Sequence, residues 1–275
     1  MNFDKNSRKI GFIGVGNMAS AIIRGITSVG GYPHDKICLY DVETAKTAEF
    51  VSAGARAVNS ICELCEASDC VVLAVKPQNF PQVLAELAPC TKDRNVLFIS
   101  IAAGITTDSV SSALGGVGVV RALPNTPMLI GKGVTAICGN SAVSDGDMSF
   151  ARAIFATAGD VVSIDESQMN PIISVTSSSP AYVFKFIKAI CDGARAQGLD
   201  DESIKQSVCS MVAGAAAMLA QSDLSPEELV SMVCSKGGTT ERAVAELDRY
   251  GFEEAIASAM QRCTERANEL SNISK

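Results

Sequence analysis

The sequence predicts an α/β chain in which an N-terminal Rossmann-type parallel-sheet domain is followed by an all-helical C-terminal domain. Short β-branched runs alternate with helical patterns through the first half, as in a parallel sheet built from β-α-β units. Strand signals stop near residue 165, and only helical patterns follow. The first strand–helix junction carries the turn Gly14-x-Gly16-x-x-Ala19. The expected domains are therefore 1–165 and 166–275.

Strands are expected at 9–13, 37–40, 71–75, 96–101, 118–121, 134–138 and 161–164. Most are continuous apolar runs, which suits strands covered by helices on both faces. Helices are expected between them at 18–29, 43–53, 79–88 and 107–114. The C-terminal domain reads as helices at 168–174, 181–197, 201–221, 226–234, 239–248 and 252–270. Ser225, Pro226 and Glu228 mark one start as N-cap, first-turn proline and capping-box acid. Stretch 206–222 is rich in Ala and Gly, which allows close helix approach. It is read as a dimerisation helix, the alternative being a helix buried within one subunit, rather than as a membrane span.

Composition narrows the function. The 275 residues carry 23 Lys+Arg against 30 Asp+Glu, a net charge of −7, so no cation excess is available to displace counterions from a phosphate backbone. No nucleic-acid partner and no membrane partner are expected. The N-terminus is polar without an apolar leader. Ten cysteines are scattered, with Cys62-x-x-Cys65 the one close pair, and the lone His34 stands apart from it. No metal site is expected, and the cysteines are read as reduced structural thiols of a cytoplasmic protein.

The glycine turn points to a dinucleotide. Gly14 permits the tight turn, Gly16 lets a pyrophosphate approach the backbone, and Ala19 keeps helix and strand close. The helix N-terminus offers free N–H groups and a partial positive charge. Asp41, at the end of the second strand, would accept hydrogen bonds from ribose hydroxyls, which leans toward NADH; the alternative is a cap for the following helix. Lys76 and Pro77 end another strand at the same carboxyl edge, with Ser100-Ile101-Ala102-Ala103-Gly104 ending the next. In the C-terminal domain, Gly237, Gly238, Thr239 and Thr240 precede a helical stretch. They could form a carboxylate site with hydroxyls for a ring nitrogen, or an ordinary helix cap with Thr as the N-cap residue.

These stretches, with Arg121-Ala-Leu-Pro-Asn-Thr-Pro127, Pro180-Ala-Tyr-Val-Phe184 and Ser235-Lys-Gly-Gly-Thr-Thr240, resemble the 1-pyrroline-5-carboxylate reductase family across nearly the whole chain. The resemblance implies reduction of L-1-pyrroline-5-carboxylate to L-proline by hydride from NADPH or NADH, the last step of proline biosynthesis. It also implies a homodimer through the helical domain, with assembly into a decamer. By the family's pattern, Ile13, Gly14, Val15, Gly16, Asn17, Met18, Asn59, Ala74, Val75, Lys76, Pro77, Ile101, Ala102 and Ala103 line the cofactor. Glu166, Ser235, Thr239 and Thr240 fall at the substrate, joined by Gly238 of the glycine pair. Thr240 is expected as the contact to the imine nitrogen. The chain departs from the family at Ser177-Ser178-Ser179, where glycines flank the serine, and at Lys236, where a proline is usual.

Two other readings stay open. A β-hydroxyacid dehydrogenase or imine reductase acting on another substrate would need a general base, for which Lys185 and Lys188 are the nearby candidates. A non-catalytic dinucleotide-binding paralogue would bind cofactor without turnover.

Overall fold

The computed structural model describes residues 8–92, 94–199 and 202–273. The polar lead-in Met1 to Ser7 and the expected helix start at Asp201 lie outside the described residues.

Eight strands form one sheet: β1 (Ile10–Ile13), β2 (Ile37–Tyr40), β3 (Arg56–Ala57), β4 (Cys70–Leu73), β5 (Leu97–Ser100), β6 (Val119–Leu123), β7 (Gly133–Gly139) and β8 (Gly159–Ser163). Their order is β3-β2-β1-β4-β5-β6-β7-β8, parallel throughout except that β7 runs antiparallel to β6. The link between those two is a single 3-10 turn, Thr126–Ile130, too short for the crossover that parallel pairing requires.

The associated helices are α1 (Asn17–Arg24), α2 (Ala48–Ser52), α3 (Ile61–Glu66), α4 (Phe80–Leu87), α5 (Thr107–Ala113), α6 (Asp145–Ala156) and α7 (Met169–Ile172). They cover both faces of the sheet. On one, Ile22, Ile26, Ile154 and Phe155 pack over Phe12, Ile99 and Ile137; on the other, Leu64, Phe80, Leu87 and Val110 pack over Ile13, Val71 and Phe98. A third cluster joins Leu123 and Ala136 to Met169, Ile173 and Ala267.

Three elements go beyond the sequence expectations. β3 has only two residues, too few for a periodic signal. α3 is six residues long and is started by the Ser60 hydroxyl, which accepts the Glu63 N–H. α6 is opened by a reciprocal Ser144–Asp147 capping box and buries Ala151, Ile154 and Phe155. The expected helix 18–29 is α1 continued by a π-turn, Gly25–Val29, and the expected helix 43–53 is a 3-10 turn, Thr44–Thr47, leading into α2.

The remaining helices are α8 (Ser179–Ala196), α9 (Glu202–Ala220), α10 (Pro226–Val233), α11 (Thr239–Arg249) and α12 (Phe252–Ile273). By contacts, the chain forms two compact units: Met1–Ser178 with Cys263–Lys275, and Ser179–Arg262. Residue 166 thus lies inside the first unit, because α7 packs on β7 and the end of α12 returns Ala267 to the same apolar cluster. Within the second unit α8 packs on α9, and the rings of Phe186 and Phe252 stand 6.4 Å apart. That unit buries little of its own: Phe184, Met211, Met218, Val230, Met232 and Val233 are all exposed. α9 is long and apolar enough, by length and composition alone, to cross a membrane.

The cysteine expectation requires a correction. Cys62 and Cys90 form a disulfide, their Cα atoms 5.5 Å apart, and the other eight cysteines are free. On α3 the two members of the Cys-x-x-Cys pair lie one turn apart on neighbouring faces, and the Cys65 thiol also reaches the Cys90 carbonyl at 3.8 Å. Cys65 turns into the core, while Cys62 faces the turn that follows α4.

Candidate active site

The first unit builds its site at the carboxyl edge of the sheet, where open α/β sheets bind ligands. Gly14 follows β1 at φ +90°, and a Cβ there would stand 2.9 Å from the Ala74 carbonyl oxygen, so the turn demands glycine. Gly16 differs. Its backbone is extended, and no protein atom lies within 4 Å of where a Cβ would be. The fold itself leaves that space open. Gly16 is also the N-cap of α1 and gives its first turn no side-chain cap, so those N–H groups face the opening unpaired by a capping side chain. This cradle fits a dinucleotide pyrophosphate.

A cavity of about 420 Å³ opens beside the turn. Ile13, Gly14, Gly16, Asp41, Ala74, Val75 and Lys76 line it, together with Tyr40, Val42, Glu43, Lys46, Gln82 and Glu86, which no sequence motif singles out. They share the site because β2, β1 and β4 are neighbours in the sheet. The other residues expected at the cofactor sit around that lining. Asn17 and Met18 begin α1, and Pro77 begins the 3-10 turn after Lys76. Val15 is buried, and Asn59 is exposed ahead of α3. Ile101, Ala102 and Ala103 follow β5, one strand further along the same edge, where the Ile101 N–H donates to the Leu73 carbonyl.

Asp41 is fixed in place. Its Oδ2 accepts the Val15 N–H at 2.7 Å and its Oδ1 accepts the Glu43 N–H at 2.8 Å, with the side chain 8% exposed. Lys46 Nζ lies 2.7 Å from Glu43 Oε1 and 3.9 Å from Asp41 Oδ1. Asp41 therefore braces the loop after β2 and the glycine turn together.

Glu166 occupies the first residue of a 3-10 turn, Glu166–Gln168. Its Oε1 accepts the Thr107 N–H at 2.8 Å, and Oε2 accepts the Thr107 hydroxyl. Beneath it lies Arg121, a buried residue whose role no motif states. One guanidinium nitrogen stands 3.7 Å from Glu166 Oε1, and another donates to Asn170 Oδ1 at 2.8 Å. Asn170 in turn donates to Asn268 and Ser271 of α12. Burial pushes the Arg121 guanidinium below its usual value, with the charge of Glu166 opposing. Burial, reinforced by Glu166, pushes the nearby Cys138 thiol up to about 12, which keeps it protonated and inert.

The second unit holds the other expected residues. Gly237 sits at φ +73° and its N–H donates to Glu241 Oε2; a Cβ on Gly238 would meet the Ser235 carbonyl oxygen at 2.8 Å. Gly238, not a threonine, is the N-cap of α11, without a side-chain cap, and Thr239 and Thr240 form its first turn. The alternative of a threonine cap is thereby removed, and both hydroxyls are left for other partners. Ser235 and Lys236 are exposed. The candidate bases Lys185 and Lys188 are exposed on α8, the latter paired with Asp192. Among the described residues no group of three or more His, Cys, Asp or Glu side chains could hold a metal ion.

Known proteins resemble the chain along nearly its whole length. A family model for pyrroline-5-carboxylate reductase dimerisation matches residues 166–270, and one for coenzyme F420-dependent NADP oxidoreductases matches 9–104. The chain is 37% identical to a pyrroline-5-carboxylate reductase of Escherichia coli over 96% of its own length and 98% of the relative's. A solved pyrroline-5-carboxylate reductase from Coxiella burnetii superposes with a TM-score of 0.89 at 33% identity, covering 97% of this chain and 99% of that one. A Plasmodium falciparum pyrroline carboxylate reductase with NADP bound also gives 0.89, at 27% identity, covering 98% and 100%.

Proposed function

The chain belongs to the pyrroline-5-carboxylate reductase family, and from that premise we propose how its residues divide the work. The enzyme is an NAD(P)H-dependent oxidoreductase that reduces the C=N bond of L-1-pyrroline-5-carboxylate to give L-proline, the last step of proline biosynthesis. When bound, the nicotinamide supplies the hydride.

Gly14, Gly16 and the first-turn N–H groups of α1 hold the pyrophosphate, and Asp41 borders the adenosine ribose. Lys76, Pro77 and the small residues Ala102 and Ala103 border the nicotinamide end. Gly238 and the N–H groups opening α11 receive the substrate carboxylate, with Ser235 and Thr239 beside them; Glu166 is assigned to the substrate by the family's pattern alone. The Thr240 hydroxyl oxygen accepts the N–H of the protonated ring nitrogen and orients the imine. A protonated imine is already electrophilic, so orientation, water exclusion and one hydrogen-bonding group suffice. The observation that carries this reading is the open space at Gly16 over an uncapped helix start, which the fold does not otherwise require.

The functional division at 1–165 and 166–275 is supported by the family match that begins at 166. That match covers α9 and the exposed apolar side chains of α8 and α10, which supports a homodimer through the helical segment; assembly of dimers into a decamer is what the family resemblance implies. A cytoplasmic location is proposed on the predominance of free cysteines, eight of ten, against the single Cys62–Cys90 disulfide.

The test follows NADPH and NADH oxidation by the purified chain with pyrroline-5-carboxylate, beside Thr240→Ala. Imine-dependent turnover that falls in the variant while cofactor affinity holds supports the assignment. Equal turnover in both removes Thr240 from the site.

A further inference from the structure

We propose that Asp41 makes this enzyme select NADH over NADPH. The inference rests on the reductase reading above and deepens it by naming the cofactor.

Its basis is the way Asp41 is held. Both carboxylate oxygens already accept backbone N–H groups, one from Val15 in the glycine turn and one from Glu43 in the loop that follows. A carboxylate anchored at both oxygens and nearly buried cannot swing aside when a ligand enters. It keeps spare lone pairs for ribose hydroxyls, since each oxygen accepts more than one hydrogen bond. A 2′-phosphate brought to that place would set nearly two negative charges against a fixed third one.

The cations of the cavity do not reverse this balance. Recognition of a 2′-phosphate calls for a free basic side chain, commonly arginine, and none of the residues lining the cavity is an arginine. Lys46 is the one cation on the loop after β2, and it is occupied by Glu43 and shared with Asp41. Lys76 lies at the end of β4, next to the turn that leads into α4, and Glu86 on α4 adds a further carboxylate to the wall. The wall thus carries three acids against two lysines.

The experiment uses the full chain. Fluorescence titration gives Kd for NADH and NADPH, and steady-state oxidation with pyrroline-5-carboxylate gives kcat/KM for each. The wild type is expected to favour NADH by about tenfold or more in both readouts. Asp41→Asn keeps the size and removes the charge, and it should narrow that ratio at least about tenfold, chiefly by improving NADPH. Asp41→Ser, which removes both the charge and the bulk, should move the ratio in the same direction. A wild type that favours NADPH, or a ratio unchanged in both variants, overturns the proposal. Should the wild type turn over with neither cofactor, the reductase reading is what fails, and the two Kd values still decide between NADH and NADPH.

Discussion

The guanidinium of Arg121 lies 3.7 Å from the carboxylate of Glu166 and is 2% exposed, so a buried cation sits directly under an acid that the family's pattern assigns to the substrate. The same guanidinium donates to Asn170, which carries the network on to α12. Replacement by methionine leaves the Asn170 carboxamide oxygen and one face of Glu166 without their partner. We expect a loss of about 2–4 kcal/mol in urea unfolding. Arg121→Lys keeps the charge but not the fork. It should fold better and show a raised KM for the imine with a smaller change in kcat. Unchanged KM in both variants would confine Arg121 to a structural role.

Gly14 and Gly16 should separate cleanly by mutation. Gly14→Ala places a Cβ 2.9 Å from the Ala74 carbonyl at φ +90°, and the expected cost is above about 2 kcal/mol in stability. Gly16→Ala meets open space, so stability should change by no more than about 1 kcal/mol, the difference between glycine and alanine at an N-cap. Its effect should appear instead as weakened cofactor binding. Thermal unfolding and a cofactor titration on each variant check both halves. A Gly16→Ala enzyme with unaltered cofactor affinity would remove the cradle from the proposed site.

Asp147 gives stability a dependence on pH. Partial desolvation acts to raise its pKa, but hydrogen bonds from Ser144 and Arg8 outweigh that and hold it below its ordinary value of 3.8. A depressed carboxylate contributes stability that is fully present above the ordinary value and is lost as pH falls through the lowered one. Asp147→Asn should therefore be less stable at neutral pH and should converge with the wild type in acid. Urea midpoints from about pH 6 down to about pH 2 follow the convergence. Parallel curves across that range would be inconsistent with it.

Much of this architecture is legible in the sequence, for physical reasons. Continuous apolar strands and a glycine turn at the first junction mark a doubly covered sheet, and Ser225-Pro226-x-Glu228 marks α10 through its own capping box. What is not legible depends on long-range convergence. Glu43, Lys46, Gln82 and Glu86 meet at one cavity only because β2 and β4 flank β1, and no local pattern encodes that order. Arg121 lies within a recognisable motif, yet its burial beneath Glu166 depends on the return of the chain through Glu166–Gln168 and α7. Cysteine pairing is a third case. Spacing draws attention to Cys62 and Cys65, one helical turn apart and not bonded to each other, whereas the return of the chain after α4 brings Cys90 to Cys62.

That pairing predicts a thiol count. Denatured, unreduced protein should label at eight cysteines and, after reduction, at ten. The bridge spans a sequence separation of 28 and ties α3 to the turn after α4, which in the chain-entropy picture stabilises the fold by about 3–4 kcal/mol. It also lies behind the cofactor cavity, because Ile61 on α3 and Glu86 on α4 line the wall next to the two half-cystines. Reduction, or the pair Cys62→Ser with Cys90→Ala, should therefore lower the unfolding midpoint and weaken cofactor binding together. Ten reactive thiols without reductant would mean that the two sulfurs are neighbours and no more, and reductant would then change neither property.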